Sequence, residues 1–230
     1  MNKSPFLPDA NDKAATVEAM FDRVAPKYDR MNRLLTMRLD VAWRRAAIRH
    51  INMAPGSLVF DLACGTGDMC NDLIAAQYRP IGFDFSAGML RAATTTAPLV
   101  RADVLRLPAP NNSVDAITCG FALRNFTALE PFFGECARVL RPSGRVVLLD
   151  VGEPKSKLFR FGHKIYFRKV VPFIGGLLSD RAAYSYLPAS TAYLPQPNEL
   201  VRMVGAAGFQ DVTHRRYGLG AAQLVVGTAL

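Results

Sequence analysis

No stretch of this 230-residue chain holds the roughly 18 consecutive apolar residues that a membrane-spanning helix requires. The opening "MNKSPFLPDANDK" also lacks the apolar centre of a secretory signal, so a cytoplasmic protein is expected. Cysteine is sparse: Cys64, Cys70, Cys119 and Cys136 sit among apolar or small residues with no CxxC pair. That pattern argues against a disulfide framework and a zinc site and points to reduced core thiols, with no metal expected. Acidic residues are few as well, 19 against 28 Lys and Arg, for a net charge of +9. The excess is uneven, with seven Lys/Arg against one Asp between residues 155 and 181. Such a balance favours an anionic partner, either nucleic acid or a lipid surface. Internal repeats and low-complexity tracts are absent.

Half of the residues are hydrophobic, enough for a full core in one α/β unit. Val17, Met20, Phe21 and Val24 recur at helical spacing, and "MNRLLTMRLDVAWRRAAIRHI" continues with a second amphipathic pattern. We therefore expect an N-terminal helical segment over residues 1–50, ahead of a ligand-binding domain over 51–230. The pieces "LVFDLA", "RPIGFDF", "APLVRAD", "SVDAITCGFA" and "GRVVLLDV" read as buried strands, each followed by a helical pattern such as "GMLRAATTT" or "LEPFFGECARVLRP". Alternation of this kind predicts a parallel sheet with helices on both faces. "RPSG" at 141–144 reads as the turn that releases the fifth strand. Residues 153–197 are aromatic, basic and proline-punctuated and are expected to form a helical insertion. "ELVRMVGAAGF" predicts a helix with a glycine stop, and "DVTHRRYGLGAAQLVVGTAL" two closing strands.

The stretch "VFDLACGTGD" carries the most chemistry. A dinucleotide loop needs a third glycine for close helix packing, and Cys70 stands in that place. A Walker loop needs a terminal lysine, and none follows Gly67. What remains is Asp61 at a strand end and a tight turn through Gly65 and Gly67, a crevice that suits a ligand with both an ammonium and a carboxylate. Asp84 follows the second strand, where an acid accepts both hydroxyl hydrogens of a ribose, and Asp103 follows the third, within reach of an adenine amino group. Acids after three successive strands, with a Gly-x-Gly lacking its third glycine, describe S-adenosyl-L-methionine better than a phosphate cofactor. The plainer alternative is that these acids cap the following helices.

With these motifs the sequence resembles the class I methyltransferases, and within them the menaquinone/ubiquinone biosynthesis C-methyltransferase family. The similarity is carried by "MFDRVAPKYDRMNRLLTMRLDVAWRR", "FDLACGTGD", "GFDFSAGML", "FALRNFTALE", "RVLRPSGRVVLLDVGEP", "YSYLPAS" and "GAAGFQDV", of which the "KYDRMN" and "LRN" segments are the most specific. It implies a Rossmann-like fold with a mostly parallel seven-stranded sheet, and methylation of a ring carbon of a prenylated quinol, demethylmenaquinol foremost, with S-adenosylhomocysteine as product. The same resemblance assigns closure of the active site to the helical segment over residues 1–50 and places the 153–197 insertion on the substrate side. Carried over by position, cofactor contacts fall on Thr66, on Asp84 with Phe85, on Asp103 and Val104, and on Gly120, where relatives commonly have serine. A homodimer is expected by analogy alone.

Carbon methylation requires a neighbouring hydroxyl to lose its proton so that charge reaches the ortho carbon. Arg124 is a permanent cation that can stabilise the phenolate, and Asn125 can orient a hydroxyl or a water. Tyr28 resembles a family tyrosine that closes the site. The base is either Tyr28 or a water held by Arg124 and Asn125; His163 and His214 are weaker candidates. The structural alternatives are an ion pair of Arg124 with a helix acid such as Glu130, and helix packing by Tyr28.

Lys157, Arg160, Lys164 and Arg168 would share one helical face, which suits peripheral contact with an anionic membrane or, equally, a solvated surface. A nucleic-acid partner is disfavoured, because "CGFALRN" stands where base-amine methyltransferases carry an Asn/Asp-Pro-Pro-aromatic motif. A rival acceptor, another phenolic or polyketide-like small molecule, is kept open by three departures from the family pattern. These are Ser185 in "YSYL", Ala189 for an acid, and Val226 for a histidine, all in the substrate-side half of the chain.

Overall fold

In the computed structural model, residues 12–152, 186 and 189–230 are described. Three helices come first: α1 Lys13–Val24, α2 Tyr28–Leu35 and α3 Leu39–Ile48. There follow β1 Leu58–Leu62, α4 Asp68–Ala75, β2 Arg79–Asp84, α5 Ala87–Arg91, β3 Leu99–Arg101, β4 Val114–Gly120, α6 Leu129–Val139 and β5 Leu140–Val151. The chain closes with α7 Pro197–Ala206, β6 Phe209–Tyr217 and β7 Ala222–Ala229. The seven strands form one sheet in the order β3-β2-β1-β4-β5-β7-β6. Strands β1 to β5 pair in parallel, and β7 runs antiparallel to both neighbours. Among the described residues no helix is long and apolar enough to cross a membrane.

Strand alternation sorts the core onto two faces. Phe60, Ile117, Leu148 and Val225 pack with Phe132 and Phe133 of α6 and Leu200 of α7. Their chain neighbours Val59, Ala116, Val147 and Leu224 pack with Trp43 and Ile48 of α3 and Leu73 of α4. A third cluster joins Met20, Val24, Met31, Leu35, Met89 and Tyr186, so α1 and α2 lie over α5 at one end of the sheet.

Four local readings need correction. The pattern running through residues 31–51 is two helices, broken where Met37 and Arg38 take φ of 51° and 64°. There the Thr36 hydroxyl lies 2.7 Å from Asn32 O and 2.5 Å from Asp40 Oδ1, ending α2 and starting α3. Helix α5 stops at Arg91 instead of running through the threonines, because Thr94 N donates to Thr66 O at 3.1 Å and Thr95 packs on the glycine loop. No helix joins β3 to β4; "LPAPNN" resists helix formation, and its carbonyls Leu107 O and Ala109 O accept from Arg138 of α6. Lastly, "RPSG" lies inside β5: pairing moves from Val114↔Leu140 to Ala116↔Arg145, looping out residues 141–144 with Ser143 at φ 65°. Arg141 bonds Asp115 across this irregularity.

Phe132 is fully buried, with Phe126 and Phe133 rings 4.6 and 5.6 Å from it. Phe132→Ala should cost ~3–5 kcal/mol in urea unfolding, since the hole left beside two fixed rings cannot collapse.

Candidate active site

A cavity opens at the C-terminal ends of β1, β2 and β4, where ligands of open α/β sheets bind. Its wall brings together Tyr28, Gly65, Asp84, Phe85, Asp103, Val104, Gly120 and Asn125, and adds Phe21, Ser86, Phe121 and Phe126. Two of the ten non-glycine residues with positive φ among the described residues lie at this mouth. Ala63 after β1 has φ 54° and Phe121 after β4 has φ 59°, a region that side chains with a Cβ rarely occupy.

The loop between β1 and α4 folds around Asp84. Its Oδ2 accepts from Gly65 N at 2.7 Å and its Oδ1 from Ser86 N at 2.8 Å, so the carboxylate ties the loop to the start of α5. Each oxygen keeps a lone pair free, which is what a pair of ribose hydroxyls needs. Burial holds this carboxyl above its ordinary range. Gly67 has φ +88°, and a Cβ there would meet Thr95 Cγ2 at 2.6 Å, so only glycine fits. At Gly120 a Cβ would come 3.3 Å from the flexible end of Met69, so a serine can be accommodated.

Asp103 accepts from Leu105 N at 2.9 Å, and with buried Val104 and half-exposed Phe85 it borders an apolar part of the cavity suited to a flat base.

Four residues expected at the site do not line the cavity. Asp61 lies beneath it, buried, accepting from Thr118 Oγ1 at 2.8 Å and Cys70 Sγ at 3.4 Å. Burial pushes its carboxyl up to about 7 against these two bonds. Thr66 turns its hydroxyl away, to Asp29 Oδ1 at 2.5 Å, and Gly67 contributes shape only. Arg124 is 4% exposed and pairs with Asp150, not with Glu130: Nη1 lies 2.5 Å from Asp150 Oδ1 and 2.6 Å from Phe121 O. His214 bonds Gln223 on the adjacent strand, and His163 lies outside the described residues. Val226 is buried among Trp43, Ile48 and Leu73, so that departure from the family pattern is a core substitution, not a change at the cavity.

The helical segment supplies part of this wall and is fastened to the neighbouring loops by polar ties that residue patterns did not single out. Asp22 accepts from Ser86 Oγ at 2.5 Å and Gly88 N at 2.8 Å; Arg33 pairs with Asp68 at 2.8 Å; Arg101 pairs with Glu18 at 3.0 Å. Lys13 donates to Phe126 O at 2.6 Å and sits 3.9 Å from the centre of the Tyr193 ring, with burial lowering its amine to about 8. Tyr186, 4% exposed, donates to Asn125 Oδ1 at 3.2 Å. Asp29 and Tyr186 stand inside "KYDRMN" and "YSYLPAS", so the motifs were visible while the partners were not.

Comparison with known proteins bears on this cavity. The ubiE/COQ5 methyltransferase family model matches residues 9–229. A demethylmenaquinone methyltransferase of Roseiflexus castenholzii is 42% identical over 96% of each chain. A ubiquinone/menaquinone biosynthesis C-methyltransferase of Geobacter sulfurreducens is 36% identical over 94% of this chain and 89% of its own. Among solved structures, a SAM-dependent methyltransferase of Thermotoga maritima superposes with a TM-score of 0.67 at 17% identity, covering 92% of this chain and 99% of that one.

Asp61 yields a pH test. Unfolded, its carboxyl titrates near 3.8; folded, near 7. Between those values the native state holds a proton that the unfolded chain has lost, so this group's contribution to stability falls as pH rises. Asp61→Asn does not titrate, and urea unfolding should show it gaining on the unsubstituted protein by up to ~1.4 kcal/mol per pH unit from pH 5 to 7.

Proposed function

Because this chain belongs to the ubiE/COQ5 methyltransferase family, we propose that it is an S-adenosylmethionine-dependent C-methyltransferase whose acceptor is the ring carbon of a prenylated quinol, with demethylmenaquinol the first choice. The observation that carries the reading is the convergence of Asp84, the Gly65 turn, Asp103 and Asn125 on one cavity beneath the helical cover. Asp84 would hold the ribose of the cofactor, Asp103 and Val104 its adenine, and the turn its methionine end. The cofactor supplies an electrophilic methyl on sulfonium; everything else falls to this chain.

Three tasks follow for its residues. The cover excludes water, with Phe21 and Tyr28 edge to face at 5.9 Å on the cavity wall. Asn125 faces the acceptor hydroxyl and orients it. Burial pushes the Tyr28 hydroxyl above its ordinary 10, so at neutral pH it is an O–H donor, which favours proton loss through a water over a tyrosinate base. Arg124, held by Asp150, acts through its field on Tyr28 and Tyr186 and through the turn that carries Asn125. Holding carbon and methyl in line can supply a large part of the acceleration, up to ~7–11 kcal/mol. Contact with an anionic bilayer through Lys157, Arg160, Lys164 and Arg168 belongs to the same proposal; those four lie outside the described residues.

Calorimetry should show S-adenosylmethionine binding at least about tenfold weaker in Asp84→Ala, in line with the loss of charge-assisted bonds; unchanged affinity would remove the ribose assignment. Mass spectrometry of methyl transfer to demethylmenaquinol and demethoxyubiquinol analogues, side by side, identifies the acceptor. Faster transfer to the naphthoquinol is expected, and transfer to neither would refute the quinol reading.

A further inference from the structure

We propose that Tyr186 is a positioning residue that locks the side-chain amide of Asn125 with its NH2 toward the cavity, so that the site offers a hydrogen-bond donor to an ionised acceptor oxygen. The proposal rests on the reading of the acceptor as a phenol and adds the state in which it is held.

The argument begins with a buried proton. Tyr186 is 4% exposed in a cluster with Met20, Met31, Leu35 and Met89, and its hydroxyl meets Asn125 Oδ1 at 3.2 Å. A phenol has one proton to donate, and a side-chain amide has one accepting end and one donating end. With the amide reversed, the Tyr186 proton would face an NH2 group and lose this acceptor, and a buried orphan donor costs more than an ordinary hydrogen bond returns. Burial pushes this hydroxyl up to about 12, so the proton is present throughout the working range. The donating end of Asn125 has no protein partner among the described residues, and Asn125 lines the cavity. Its backbone is fixed too, Asn125 N donating to Ala122 O at 2.8 Å in the turn that Arg124 anchors.

The consequence is chemical. An amide NH2 stabilises an oxygen that carries negative charge and cannot accept the proton that oxygen releases. Asn125 therefore favours the phenolate and is not the base. The other ionisable groups of this region are Arg124 and Tyr193 near Tyr186, Lys13 on Phe126 O and the Tyr193 ring, Asp22 on Ser86, and Tyr28, Glu18, Asp84 and Asp103 on the cavity wall. All of them are retained in Tyr186→Phe.

The test uses para-nitrophenol, whose ionisation changes its absorbance, bound to the full chain with saturating S-adenosylhomocysteine. In the unsubstituted protein its ionisation midpoint should lie below the value in water. Tyr186→Phe keeps the ring and frees the amide, and should raise that midpoint by about one pH unit, a tenfold smaller phenolate fraction on the acid side. Asn125→Asp, which presents only acceptors, should raise it at least as far. In an Asn125→Ala background the added Tyr186→Phe change should have less than about a twofold effect. Affinity for S-adenosylhomocysteine, followed by calorimetry, should hold in all variants. A midpoint unmoved by Tyr186→Phe, or a shift that persists in the Asn125→Ala background, would overturn the proposal. Because the probe reads ionisation without methyl transfer, failure of quinol turnover would count against the acceptor and not against this orientation.

Discussion

Asp150 and Arg124 meet at 2.5 Å where both are almost fully buried, and the top of the sheet is arranged around that contact. Asp150 is on β5, the strand next to β4, and its partner stands in the turn that follows β4. The same guanidinium donates to Phe121 O, holding in place a residue with φ 59°. Asp150 also accepts from Val151 N at 2.7 Å. A charge buried with its partner removed is expensive, on the order of 3–5 kcal/mol, so neither member can be lost alone without disturbing the turn that presents Asn125. The strained Phe121 backbone is held by this network.

A second set of contacts fastens the helical cover to the loops beneath it, and its chemistry is consistent. Asp22 binds the start of α5, Asp29 the glycine loop through Thr66, and Arg33 the start of α4 through Asp68. Each tie lands on a loop at the C-terminal end of a strand, on or beside the cavity wall. A ligand filling the cavity would therefore touch loops that the helical segment also contacts.

The side chains of the cavity divide by what they can exchange. Asp84 and Asp103 are acceptors at the end expected to hold cofactor, while Asn125 and Tyr28 present donors on the wall expected to face the acceptor. Val226, read from the sequence as a departure from the family pattern, sits in the core against α3 and is not among the residues that line the cavity. That removes one of the three grounds for a non-quinol phenol; Ser185 lies outside the described residues, and Ala189 is half-buried.

Much of this was legible from residue order. Short, nearly continuous apolar runs placed the strands, because a parallel sheet covered on both faces demands them, and the missing third glycine and missing lysine weighed against a phosphate loop. Acids after successive strands marked the crevice, since parallel strands end on one side. Order along the chain could not decide who pairs with whom. Arg124 finds Asp150 26 residues away, Asn125 is met by Tyr186 at a separation of 61, and Lys13 reaches Phe126 O across 113. Those pairings depend on how strands and helices stack after the chain has turned many times. Periodicity reports only which face of an element is buried, so the sequence determined the elements and the crevice, while packing alone decided that Arg124 turns inward and that Asn125 presents a donor.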